Sequence, residues 1–182
     1  GDVYKRQIQY LTENADHVII QTPYVICNGY MYDVLQGISD HAKLQIVLNA
    51  VEKGSNPWGC TDYLNQKKKI LETGADVYEL MNDYPVHTKA VLINDRLSVV
   101  GSYNLDMRST YLDTELMLVI DSEKLSQQIH KTESDYMEKS KEVLANGQET
   151  EGAKYQGKVL NRKKKLYYGV LRMIIRPLRQ LL

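Results

Sequence analysis

The residue types and spacing that point to chemistry are His87 and Lys89, then Gly101-Ser102-Tyr103-Asn104, then Glu115. Residues two apart in a strand share one face, so His87 and Lys89 are expected to project together. An imidazole beside an ammonium is a poor core pair without a compensating anion, and a bound phosphate supplies one. Gly101 lets a ligand approach the backbone closely. Ser102 and Asn104 offer neutral donors for phosphate oxygens, and Lys89 adds a point charge. A carboxylate at Glu115, hydrogen-bonded to one imidazole nitrogen, fixes the tautomer and favours the charged form. A histidine so held can act as nucleophile or as general acid/base.

The elements that must position these residues follow from pattern and punctuation. The stretch 8–15 reads as the end of a helix, and His17 to Thr22 as a β-rich run closed by Pro23. Asn28 is a cap for a helix to about Ala42, and Leu44 to Leu48 is a buried strand. Ala50 to Cys60 reads as a loop, Thr61 to Thr73 as a helix ended by Gly74, and Asp76 to Leu80 as a third strand. Val86 to Ile93 and Leu97 to Val100 predict a hairpin around Asn94-Asp95-Arg96, and Tyr111 to Ile120 a further strand carrying Glu115. Ser122 to Ala145 reads as a long helix capped by Ser122, 146–153 as a polar linker, and Lys154 to Leu182 as a basic helix. Strands alternating with helices predict an α/β fold, a mixed β-sheet flanked by helices, with 8–145 as the catalytic unit and 154–182 as an amphipathic tail.

A chain of 182 residues with 43% hydrophobic and 25% charged residues suits one globular domain with a real core. Cys27 and Cys60 have neither zinc-type spacing nor a disulfide framework, and read as buried free thiols. No run reaches the ~18 apolar residues needed to span a bilayer. The chain does not begin with Met and reads as part of a longer protein. Its zero net charge hides an asymmetry: Lys154 to Leu182 carries nine Lys/Arg and no acid, whereas the preceding residues carry 14 basic and 23 acidic ones. Such a split suggests an anionic partner for the tail.

The stretch HTKAVLINDRLSVVGSYN resembles the HKD signature of the phospholipase D superfamily: His-x-Lys, four residues, Asp, six residues, Gly-Ser-x-Asn. Asn104-Leu105-Asp106-Met107-Arg108-Ser109, Leu112-Asp113-Thr114-Glu115, Gln21-Thr22-Pro23-Tyr24 and the GADVYE segment resemble its bacterial cardiolipin synthase branch. Asn94 departs from the pattern, standing where the signature has Asp, with Asp95 next to it. The resemblance implies a phospholipase D-like α-β-α sandwich and phosphatidyl transfer through a phosphohistidine, with neither metal nor cofactor. It also implies two such motifs, so this chain supplies the second, C-terminal half-site and needs its N-terminal half or a second copy as partner. By that likeness His87 is the general acid/base, Lys89, Ser102 and Asn104 hold the phosphate, and Glu115 partners His87. Tyr24 and Asn56 face the cleft or pack the loop, and Arg108 contacts substrate or pins its own loop.

The reading is therefore cardiolipin synthesis from phosphatidylglycerol at a bacterial membrane surface, with the active site on the cytoplasmic side. The protein is held there peripherally or through a missing N-terminal anchor. Headgroup hydrolysis uses the same residues with water as acceptor. A single-motif homodimeric nuclease and an inactive isolated fragment are the competing readings. The acidic body argues against nucleic acid as a partner. On a helix, Tyr167, Val170, Leu171, Ile174, Leu178 and Leu181 share one face beside a basic cluster, a pattern suited to lying on an anionic membrane.

Overall fold

The computed structural model describes residues 2–179, with side chains from Gln7 onward. Helices α1 (Asp2–Thr12), α2 (Gly29–Ser39) and α3 (Pro57–Glu72) alternate with strands β1 (His17–Gln21), β2 (Lys43–Asn49) and β3 (Asp76–Leu80). Strands β4 (Ala90–Ile93) and β5 (Leu97–Gly101) form the expected hairpin, followed by α4 (Met107–Tyr111) and β6 (Met117–Asp121). Helix α5 (Glu123–Glu138), strands β7 (Ser140–Val143) and β8 (Glu149–Glu151) and helix α6 (Arg162–Leu178) complete the chain. The eight strands form one mixed sheet in the order β6-β5-β4-β1-β2-β3-β7-β8. Strands β1, β2 and β3 are parallel, and every other pairing is antiparallel.

Both faces of the sheet are covered. On one, Val18, Ile20, Leu44, Ile46 and Val77 pack with Met31, Leu35 and Ile38 of α2 and Cys60, Tyr63 and Ile70 of α3. On the other, Ile19, Val47, Tyr78, Leu80 and Leu92 pack against Ile129, Tyr136 and Met137 of α5. The alternation of Val18 and Ile20 with Ile19 along one strand sends neighbouring side chains to opposite layers. The result is the α-β-α sandwich with an added C-terminal helix that the sequence predicts.

The helix starts follow capping chemistry. Asn28 accepts a bond from Met31 N, Ser122 from Leu125 N, and Asn161 from Lys164 N. Gly74, at φ +89°, closes α3 in a left-handed conformation open to glycine. Cys27 and Cys60 are buried free thiols.

Several boundaries differ from the sequence reading. Helix α3 begins at Pro57 and takes in Gly59 and Cys60, because Asn56 caps it and proline fits the first turn. The segment 107–111 is helical where a strand from Tyr111 was expected, because the Asp106 side chain accepts from Ser109 N and starts a turn. Helix α5 ends at Glu138, and the remainder of the expected long helix is β7. The stretch 146–153, expected as a polar linker, contains β8, which pairs with β7. The signal for this hairpin was Asn146-Gly147, a turn pair in which Gly147 sits at φ +83°. Val143 and Ser140, both buried, hold β7 against β3. The tail is helical only from Arg162.

Asn94 answers the one departure from the signature. It turns the β4–β5 hairpin at φ +50°, and its Oδ1 accepts from Asp16 N at 3.0 Å and His17 N at 3.1 Å. An amide oxygen does this as a carboxylate oxygen would. Asp95 is 95% exposed at its side chain, and Ile93 still pairs with Leu97, so no register shift brings it inward.

Candidate active site

The carboxyl ends of β1, β2 and β3, the start of β4, the end of β5 and the start of β6 all lie along one edge of the sheet, as the pairing of Gln21 with Ala90 and of Gly101 with Met117 requires. Open α/β sheets bind ligands at this edge. The candidate residues ride on the segments leaving it, Arg108 within α4 and the others on loops.

His87 and Lys89 precede β4 rather than lying within it, a correction to the expected strand from Val86. They are nevertheless adjacent. Lys89 Nζ stands 2.6 Å from His87 Nδ1 and donates to the His87 carbonyl at 2.9 Å. Lys89 O accepts from Gly101 N at 3.2 Å, which ties this segment to the end of β5. An ammonium has no lone pair, so the imidazole nitrogen is the acceptor of this contact. Partial desolvation and the Lys89 charge together hold the His87 pKa below the ordinary histidine value. Lys89 is buried, and burial lowers its own pKa against the opposing pull of Glu115 and Asp106.

Ser102 follows β5, and its hydroxyl donates to Glu115 Oε2 and accepts from Leu116 N at 3.0 Å. Glu115 is buried in the loop before β6 rather than on a strand. Glu115 accepts from Ser102, and its charge acts on Lys89. Asn104 donates through N to Ser109 Oγ at 3.3 Å and through Nδ2 at 3.4 Å, while its buried Oδ1 has no hydrogen-bond partner among the described residues. Arg108 is exposed and pairs with Asp113 at 3.1 Å across its own loop. Asn56 caps α3 by accepting from Trp58 N and Gly59 N.

Tyr24 stacks over Gly59, where any Cβ would meet the ring at 2.8 Å. Its pKa is raised by burial first and by Asp106 next, and its hydroxyl interacts with the side chains of Asn56 and Asp106. Asp106 is itself pushed up by burial, opposed by the 2.6 Å bond from Ser109 N and by the Ser109 side chain.

Two positioning residues escaped the sequence reading. Asn49, at the end of β2, donates to Pro23 O at 3.1 Å and Val86 O at 2.8 Å and accepts from Val86 N at 2.8 Å. It thereby fixes the segment entering His87. The only signal was a polar residue ending the apolar run LQIVLN. Asp106 sits beside Tyr24 and near Lys89, and its position as an Asx cap before Ser109 was the available clue. The loops are further joined by Ile26 N donating to Leu105 O at 2.9 Å and Leu105 N to Thr22 Oγ1 at 3.2 Å.

A buried ammonium, an imidazole whose charged form is disfavoured, a hydroxyl and an amide on one edge suit an oxyanion, with the histidine free to move a proton or attack. Comparison with known proteins points the same way. Residues 7–135 match the family described as cardiolipin synthase, phospholipase D-like domain. Cardiolipin synthase A of Proteus mirabilis is 30% identical over 150 residues, which is 80% of this chain and 29% of that protein. Cardiolipin synthase A of Serratia proteamaculans is 28% identical over 152 residues, 81% of this chain and 29% of its own length. The chain thus spans under a third of these relatives. In fold it is similar to phosphatidylserine synthase of Haemophilus influenzae, with a TM-score of 0.69 at 16% identity, covering 98% of this chain and 45% of that one. It is also similar to Nuc, a phospholipase D family member of Salmonella typhimurium, with a TM-score of 0.62 at 15% identity, covering 76% and 89%. With the family match running from the first helix through most of α5, the chain belongs to the cardiolipin synthase, phospholipase D-like domain family.

Proposed function

We propose that this chain supplies the second histidine half-site of an enzyme that transfers a phosphatidyl group through a phosphohistidine, making cardiolipin and glycerol from two molecules of phosphatidylglycerol. The observation that carries the reading is the contact between Lys89 Nζ and His87 Nδ1 at the loop-bearing edge of the sheet. In the first step a histidine of the partner half attacks phosphorus, and His87 gives a proton to the departing glycerol oxygen. In the second, His87 takes a proton from a headgroup hydroxyl of the second phosphatidylglycerol as that oxygen attacks phosphorus and the phosphorus–nitrogen bond breaks. The proton returns to His87 for the next cycle. Its lowered pKa favours the base form that this second step needs.

Lys89, Ser102 and Asn104 hold the phosphoryl oxygens in this scheme. Binding of the phosphate gives the Lys89 ammonium a better acceptor than the imidazole. Glu115 orients Ser102 and balances Lys89. Tyr24 lines the cleft beside Asp106, and Asn56 supports it. The catalytic unit needs its N-terminal half or a second copy, and the isolated chain is inactive. It works at the cytoplasmic face of a bacterial membrane, held there peripherally or through an N-terminal anchor.

The test is phosphatidylglycerol turnover by the complete enzyme. His87→Ala should lower it at least about 10³-fold with an unchanged melting curve. Normal cardiolipin formation by that variant would remove His87 from the mechanism. Phosphatidic acid as the main product would instead make the enzyme a hydrolase.

A further inference from the structure

Helix α6 packs on α3 and leaves most of the apolar face singled out in the sequence turned outward. Tyr168, Leu171 and Ile175 are buried against the core, and Arg172 donates to Asn65 Oδ1 at 2.9 Å. Arg179 grips Asp62 with two bonds, at 2.7 and 3.0 Å. Asp62 has no exposed surface and also accepts from Gln66 at 2.5 Å. The helix is therefore held by both apolar packing and a buried ion pair.

Of the expected stripe only Leu171 faces inward, and Leu181 lies outside the described residues. Tyr167, Val170, Ile174 and Leu178 stay exposed, joined by Leu166 at 73% and Met173 at 68% exposure. At 3.6 residues per turn these six fall within an arc of roughly 140°, separate from the buried sector. The Arg162–Lys165 cluster and Arg176 are exposed beside them. An outward apolar arc flanked by cations on a helix already anchored from behind has one complementary surface, an anionic bilayer.

We infer that the outer face of α6 is a membrane-docking surface, its apolar arc entering the lipid interface while the Arg162–Lys165 cluster and Arg176 meet anionic headgroups. The inference deepens the proposed reaction, since it names the surface that presents phospholipid to the site, but α6 itself carries it.

Vesicle co-sedimentation of the 182-residue chain tests it. The chain should sediment with vesicles containing phosphatidylglycerol and far less with phosphatidylcholine alone, and salt should release it. Met173→Asp with Ile174→Glu should weaken vesicle binding at least about tenfold with an unchanged melting curve, because both side chains point to solvent. Lys163→Gln, Lys164→Gln and Lys165→Gln together should weaken it about 100-fold on anionic vesicles only. Undiminished binding by both variants, equal binding to both lipids, or an outer-face substitution that merely dissociates a lipid-free dimer would overturn the inference. Turnover of phosphatidylglycerol by the complete enzyme separates the two ideas. Vesicle binding that depends on α6, without turnover, removes the proposed reaction alone. Turnover with binding indifferent to α6 removes this inference alone.

Discussion

The seam between α3 and α6 and the loop cluster around Lys89 both bury charge, but they treat it in opposite ways. At the seam, Asp62 meets a bidentate guanidinium and the Gln66 amide. Gln66 in turn accepts from Tyr32 OH at 2.5 Å and Cys27 N at 2.8 Å. The network is closed, and it ties the tail to α2 and to the loop after β1. At the site, the Lys89 ammonium leans on an imidazole that it also repels, and Asn104 Oδ1 is buried without a hydrogen-bond partner among the described residues. A closed network holds the fold, whereas an unsatisfied one stores affinity for a ligand that completes it.

That contrast can be broken from either side. Lys89→Met removes the ammonium at nearly constant volume. Turnover of the complete enzyme should fall by about 10³-fold, and the melting temperature should stay level or rise, since a charge leaves a desolvated position. A large loss of stability would mean that Lys89 serves the fold. The same variant should move the His87 titration, followed by NMR of its ring protons, up toward the ordinary value of about 6.5. The sign is set by the depressed folded-state pKa. The fold disfavours imidazolium, so stability tied to His87 is lost as pH falls through the ordinary value, and less is lost in Lys89→Met.

Arg179→Met should act in the reverse sense. It leaves Asp62 buried without its cation, at a cost of about 2–4 kcal/mol in denaturant unfolding. Adding Asp62→Asn should recover most of that loss, and failure of the double variant to recover would show that packing rather than charge holds α6.

Glu133 of α5 sharpens the contrast from the far face of the sheet. It is buried with Gln21 as amide neighbour, and burial pushes its pKa up to about 7. Here the folded state binds the extra proton, so stability falls as pH rises from the ordinary carboxylate value through about 7. Glu133→Gln should flatten that pH dependence and stabilise the chain at pH above 7 by on the order of 1 kcal/mol. An unchanged pH profile would assign the dependence to other groups.

Most of the α/β framework was legible because its signals are local. Asn28 and Ser122 cap where their side chains reach the next turn, Gly74 takes a positive φ, and the Val- and Ile-rich runs became strands. The candidate motif residues were legible through their spacing and the family resemblance that it carries. The hairpin of β7 and β8 was misread because Ser140 and Val143 gain their strand geometry only by adding to β3, a partner some 60 residues earlier in the chain. Asn49 and Asp106 were missed because an isolated polar residue at a strand or helix end reads as punctuation until its partners are known.

The amino-acid sequence by itself determined the spacing that brings the candidate residues His87 and Lys89 together, since a two-residue offset acts over a few bonds. It also determined that the tail is a basic amphipathic helix, since periodicity is a property of one element. Which face of that helix turns inward was decided by tertiary structure. The choice depends on α3 supplying a groove for Tyr168, Leu171 and Ile175 and a buried carboxylate for Arg179. Tertiary structure likewise brought Glu115 to Ser102 and Asn49 to Val86, because those contacts join segments at the strand ends that only the assembled sheet brings together.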